Sequence, residues 1–169
     1  MLGDGHLQTQ NGGKTFRLMV GQGGQATQGE AHREYVYHLH DMFSDFCYKK
    51  PRKLIREDSL GNNPRWVFHT IGTKLFNPLA EEFCRPLSTF PPHLRLLLTK
   101  PKDKIGKGDR LIKVCPENIV DKLDERALSY WYMDDGSQKD PKSGASILNT
   151  QSFTLSQCQC LCEAKLYLT

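Results

Sequence analysis

No stretch of this chain stays apolar for the roughly 18 residues that a membrane-spanning helix needs, so a transmembrane segment is not expected. No secretory leader is visible either, although the chain opens directly on a motif and targeting therefore stays open. Cys-x-x-Cys spacing is missing. The 6 cysteines include Cys158, Cys160 and Cys162, crowded into one short stretch where a helix would point them in different directions. That pattern argues against structural zinc and against a disulfide framework, and for reduced thiols in an intracellular protein. A strong charge of one sign is absent too. The formal charge of +4 is compatible with a nucleic-acid partner without being diagnostic of one.

What is present suits a single globular domain. With 169 residues, 38% of them hydrophobic and 25% charged, the chain can bury a sizeable core and still carry a soluble surface. Alternation in "HLQTQ" predicts a strand with His6, Gln8 and Gln10 on one face. "NGG" predicts a hairpin turn, because asparagine and glycine tolerate positive φ, and "KTFRLMV" predicts the returning strand. "GQGGQATQG" reads as a loop. In "EAHREYVYHLHDMFSDF" apolar residues recur every three or four positions (Tyr35 or Val36, Leu39, Met42 or Phe43, Phe46), which predicts an amphipathic helix.

"PRKLIRED" and "RWVFHTIG" predict two further strands joined by a turn at "LGNNP", and "TKLFNPLAEEFCRPL" predicts a second helix with Pro78 in its first turn or at a kink. From Ser88 to Ile112 prolines, glycines and lysines suggest a basic linker over or beside a ligand. "CPENIVDKLDERALSYWYMDDGS" then predicts helix, "SILNTQSF" strand and "TLSQCQCLCEAKLYL" helix. The order is motif, two strands, helix, two strands, helix, linker, motif, strands, helix, which is a repeat. Its divisions fall at residues 1–87, 88–112 and 113–169.

Two short stretches carry the chemistry. "LGDG" places Asp4 before a glycine, and "YWYMDDGS" places Asp134 and Asp135 before another. An aspartate at a helix C-terminus faces the negative end of the macrodipole, at a cost of roughly 0.3–1 kcal/mol on a surface; a bound cation offsets it. Asp-Gly also ends ordinary helices, since glycine accepts the left-handed conformation past the last turn. Two copies, each followed by a strand-like segment, favour a site. If two such helix ends met, Asp4 and Asp135 would converge on divalent ions, with water and phosphate oxygens completing the shell. Oxygen ligands suit Mg²⁺ rather than zinc.

"LGDGHLQTQNGGKTFRL", "FNPLAEEF", "LSYWYMDDGS" and "LNTQSFT", in this order through nearly the whole chain, resemble the LAGLIDADG homing endonucleases, in particular single-chain, intron-encoded organellar ones. The resemblance implies an α+β fold of two pseudo-symmetric αββαββα units, with motif helices at the centre and sheets that lie on double-stranded DNA. It implies Asp4 and Asp135 as metal ligands, with Asp134 at a neighbouring motif position whose counterpart is Gly3. A basic residue near the metal aligns with Lys113, which on charge alone could equally be a solvated side chain. Against the family pattern only Met1 to Gly3 precede Asp4, and the second unit lacks its last strands and closing helix, so the chain is expected to be truncated at both ends.

Base contacts are then expected from His6, Gln8, Gln10 and Arg17, and phosphate contacts from Lys49, Lys50, Arg52 and Lys53. In the second unit Ser137, Gln138 and Lys139 begin the strand after the motif. Trp66, Phe68 and Tyr130 to Tyr132 are assigned to packing. The function the resemblance implies is Mg²⁺-dependent, sequence-specific cleavage of DNA by a monomer in a mitochondrion or, alternatively, a chloroplast. The alternatives are a maturase that assists splicing of a group I intron RNA, and an inactive endonuclease remnant.

Overall fold

The computed structural model describes residues 2–23, 29–58, 61–98, 110–140, 142–150 and 153–166. The chain forms two compact units, residues 1–77 with 130–148, and residues 78–129 with 149–169.

The first unit is built on a four-stranded antiparallel sheet in the order β1-β2-β4-β3, with β1 His6–Gln10, β2 Thr15–Gly23, β3 Arg52–Asp58 and β4 Gly61–His69. The turn between β1 and β2 falls on Asn11, Gly12 and Gly13, all at positive φ (52°, 67° and 90°). Helix α1, Gly29–Met42, packs on β2 and β4. Strand alternation sends Leu7, Leu18, Val20 and Phe68 to the helix side, where all are buried. Val36 of α1 is fully buried there, the Tyr37 ring meets Trp66 edge-on at 5.9 Å, and His40 meets Phe68 at 5.5 Å. Burying a ring such as Phe68 contributes about 1.5–3 kcal/mol, so this apolar face is what holds helix to sheet.

The stretch from Gly21, expected to be loop, remains strand through Gly23, because it pairs with β4 at Val67, Trp66 and Arg65. Glycine is required at 21. A Cβ there would stand 2.7 Å from Arg65 Nε and 2.8 Å from Val67 Cγ1. Residues 24–28 of that expected loop lie outside the described residues. Gly61 to Pro64, expected as turn, belong to β4 and pair with β3. Pro64 is tolerated because the pairing of β4 with β2 runs only from His69 to Arg65.

The second motif helix, α4, runs Glu125–Asp135. Its start is later than the apolar pattern suggested: residues 119–121 form a separate 3-10 turn, and Asp124 Oδ1 accepts from the Ala127 N–H at 2.6 Å, an N-cap that sets the boundary. Numbering the remaining strands along the chain, β7 Gly136–Gln138 follows α4 and pairs antiparallel with β8 Ser146–Leu148. The predicted strand after Leu148 does not continue through Asn149 and Thr150, and Gln151 and Ser152 lie outside the described residues.

In the second unit, helix α2 (Asn77–Phe83) carries Pro78 in its first turn, and strand β5 (Cys84–Pro86) pairs antiparallel with β6 (Leu111–Lys113). Residues 84–86 were expected to stay helical, but Pro86 has no N–H to continue a helical ladder. The basic stretch contains a short helix, α3 Pro92–Leu98, and residues 99–109 of it lie outside the described residues. Helix α5, Leu155–Leu166, packs on the 3-10 turn at Ile119–Asp121. Phe83, Ile112, Val114, Ile119, Leu123, Leu161 and Ala164 are buried in this unit. Among the described residues no helix is long and apolar enough to cross a membrane.

Candidate functional site

Both motif copies lie in the first unit, and they touch. A Cβ on Gly3 would stand 2.2 Å from Asp134 Cβ, so the absence of a side chain at 3 is what admits Asp134. The Asp4 N–H donates to Asp134 Oδ2 at 3.1 Å. The other oxygen, Oδ1, accepts from the Tyr35 hydroxyl of α1 at 2.8 Å and from Gln22 Nε2 of β2 at 3.2 Å. Gln22 is itself buried at 5% exposure, so Asp134 satisfies a donor that water cannot easily reach. Burial first, then the charge of Asp134 and its hydrogen bond, and more weakly Tyr130 and Asp4, push the Tyr35 hydroxyl well above the ordinary tyrosine range. Tyr35 is therefore a neutral donor.

Asp4 and Asp135 are each half-buried and flank this contact in sequence. Asp135 ends α4 and Gly136 opens β7, as an acidic residue at a helix foot should. Glycine is needed at 136, where a Cβ would meet the Tyr132 carbonyl oxygen at 2.4 Å. Asp4 differs from the expectation. Gly3 and Asp4 lie on a bend rather than at the end of a helix. Among the described residues no three His, Cys, Asp or Glu side chains group to hold a metal ion. Asp4 and Asp135 each carry a hard carboxylate oxygen, the donor type that Mg²⁺ or Ca²⁺ takes and zinc favours less.

The sheet face away from α1 carries a polar network. Gln8 takes Arg17 Nε on its Oε1 at 2.9 Å across the β1–β2 pair, and its Nε2 reaches His6 Nε2 at 3.2 Å and Met19 Sδ at 3.4 Å. Register puts His69 beside Met19 and Arg52 opposite Val67 on this same face. Burial, then the charges of Arg17, Arg52 and His6, lower the His69 pKa. His6, Gln8, Arg17 and Arg52 are thus brought to one surface, and Gln10 shares it with its stem against Gly72.

The other candidates lie apart. Lys53 pairs with Trp66 on the opposite, helix-covered face. Lys49 and Lys50 are exposed just before β3, and Ser137, Gln138 and Lys139 are exposed along and after β7. Lys113 lies in the second unit, half-buried at the end of β6 opposite Cys84. Packing accounts for Trp66, Phe68 and Trp131, while Tyr130 stacks on His38 with ring centroids 5.9 Å apart, and Tyr132 stays exposed. Gln22 and Tyr35 were not foreseen as polar partners. Gln22 sat in an expected loop, and only the undecided choice between Tyr35 and Val36 for the apolar stripe hinted that one of them faced elsewhere.

Comparison with known proteins gives this arrangement a context. The sequence model of the LAGLIDADG DNA endonuclease family matches residues 1–100 and 105–166. DNA endonuclease I-ChuI of Chlamydomonas applanata is 28% identical over 159 residues, covering 91% of this chain and 62% of that protein. Cytochrome b mRNA maturase bI2 of Saccharomyces cerevisiae is 28% identical over 80% of the chain and 27% of its own length. Probable intron-encoded endonuclease 1 of Wickerhamomyces canadensis is 25% identical over 72% of the chain and 45% of its own length. The fold resembles that of the homing endonuclease I-WcaI bound to its DNA recognition sequence, with a TM-score of 0.63 and 22% identity over 96% of this chain and 61% of that one. The chain thus spans less than two thirds of each of these relatives. Matched in two segments that together take in nearly all of its residues, the chain belongs to the LAGLIDADG DNA endonuclease family.

Proposed function

We propose that this protein is a homing endonuclease: it hydrolyses phosphodiester bonds at a specific site in double-stranded DNA and acts as a monomer with both motif copies in one chain. The observation that carries the reading is the direct contact of the two copies, Gly3 against Asp134 and the Asp4 N–H on the Asp134 carboxylate. Asp4 and Asp135 would hold Mg²⁺, which when bound supplies activation of water and charge stabilisation at the phosphate. His6, Gln8, Gln10 and Arg17 would read base edges, where Arg17 suits a guanine and Gln8 an adenine. Lys49, Lys50, Arg52 and Lys139 would neutralise phosphates, with Ser137 and Gln138 at the start of the second reading strand, while Lys53, on the helix-covered face beside Trp66, would not join them. Lys113 would supply positive charge to the reaction. Residues 1–87 and 113–169 serve as the two repeats and 88–112 as their basic connection. The expected site of action is the mitochondrion, with the chloroplast as the alternative.

The test is cleavage of the host gene's uninterrupted allele with Mg²⁺ and with EDTA. Cleavage should need Mg²⁺, and Asp135→Asn and Asp4→Asn should each lose at least on the order of 100-fold in rate while retaining DNA binding, since even residues behind metal ligands are worth 10–100-fold. Full cleavage by Asp135→Asn would sink the assignment. The match to a protein named an mRNA maturase favours a second reading, in which the basic surface assists splicing of intron RNA. A splicing assay on the host intron, run beside the cleavage assay, separates the two: splicing that persists in Asp135→Asn without any DNA cleavage by the parent chain supports the maturase.

A further inference from the structure

We infer that Asp134 is a positioning residue that sets where Asp4 sits, through a clamp on the backbone of the first motif. The inference rests on the metal-centre reading above and extends it. The two oxygens of Asp134 divide the work. Oδ2 takes the Asp4 N–H at 3.1 Å, and Oδ1 is held by Tyr35 at 2.8 Å and Gln22 at 3.2 Å. Three donors occupy three of the roughly four lone-pair sites a carboxylate offers, which makes Asp134 a poor ligand and a good strut. Its three partners come from three separate segments: the motif bend, the end of β2, and α1.

Asp4 stands on a bend and Asp135 is the last residue of α4. Through Asp134 the backbone of that bend is tied to the foot of α4, to the end of β2 and to α1 at once. Gly3 completes the device, because any side chain there would occupy the space of the Asp134 carboxylate. Tyr35, kept neutral by burial and by Asp134 itself, always presents its proton to the strut.

The experiment uses the whole chain with Asp134→Ala, Asp134→Asn, Tyr35→Phe and Asp4→Asn, and reads three quantities. These are amide hydrogen exchange at Asp4 in metal-free protein, the Mg²⁺ concentration giving half-maximal cleavage, and DNA affinity in EDTA. Asp134→Ala should speed Asp4 exchange and raise the half-saturating Mg²⁺ by roughly tenfold or more, the scale of losing an outer-shell partner, with DNA affinity in EDTA unchanged. Asp134→Asn and Tyr35→Phe should move both readouts the same way by less. If Asp134→Ala does not give a cooperative melt, Tyr35→Phe, which removes only a hydroxyl, decides alone. Unchanged Asp4 exchange, or faster exchange with unchanged Mg²⁺ dependence, overturns the inference. Asp4→Asn distinguishes the two levels. If it abolishes cleavage while Asp134→Ala and Tyr35→Phe have no effect, only the clamp fails; if it leaves Mg²⁺ dependence intact, the metal-centre reading fails.

Discussion

Two hairpins follow the two motif copies, and they are built to different standards. β1–β2 has five paired positions, extends into a four-stranded sheet and is backed by α1, so His6, Gln8 and Arg17 are half-buried and bonded to one another. β7–β8 has three paired positions in a sheet of its own, and Ser137, Gln138 and Ile147 are exposed. An isolated two-stranded hairpin is marginal in water, whereas three or more strands over an apolar face stand independently. The lesson concerns pre-organisation: cross-strand neighbours hold a polar side chain in place, and a strand with one short neighbour leaves its side chains to be ordered by whatever binds them. Ordering on binding costs about 0.5–1.5 kcal/mol per long side chain, so under the proposed function the first hairpin would discriminate among DNA sequences and the second would mainly attract.

The comparison breaks most readily where the motifs touch. Gly3→Ala forces a Cβ to 2.2 Å from Asp134 and should destabilise the chain by about 3 kcal/mol or more, the upper range of overpacking, in a urea titration. Next, Arg17→Ala should cost about 1–3 kcal/mol of DNA affinity and relax preference at one base pair, whereas Lys139→Ala should weaken all sequences alike and lower the salt slope by about 1. Binding titrations against a panel of substituted sites at two salt concentrations check this, and equal behaviour of the two variants would erase the contrast between the hairpins. Smaller again, Gly144→Ala at the tip of the second hairpin meets no atom within 4 Å and pays only for φ +63°, about 1–2 kcal/mol.

The smallest effect is a pH dependence confined to the first hairpin's face. His69 is held below its ordinary 6.5 by burial and then by Arg17, Arg52 and His6. The folded chain therefore prefers the neutral ring, while the unfolded chain takes up a proton as pH falls through about 6.5. The stabilisation is present above that pH and fades as the solution is acidified toward the lower folded value. Urea midpoints measured across this range should fall with acidification in the wild-type chain and fall less in His69→Gln.

Much of this was legible from the residues. Leu7 stands between polar His6 and Gln8, Asn11 to Gly13 suit a turn, and the spacing of Val36 and Leu39 marks a helix face. What misled was a glycine-rich run at 21–23 and the "GNNP" of 61–64, whose compositions say loop but whose partners make them strand. Local propensity could not see β4 lying beside β2. The motif alignment sets Asp134 opposite Gly3, and only the fold shows that the missing side chain of that glycine is what leaves room for the Asp134 carboxylate.

Short-range chemistry thus settled which residues could turn, alternate or carry a cation-binding oxygen, because those properties depend on a residue and its near neighbours in sequence. Family membership was readable at that level, since the order of motifs and strands survives in one dimension. The meeting of residue 3 with residue 134, the bond from Asp4 to a carboxylate 130 positions away, and the gathering of Tyr35 and Gln22 around it belong to the folded chain. Contacts of that range depend on how sheet and helix pack, and no local pattern encodes which buried donor will find which acceptor.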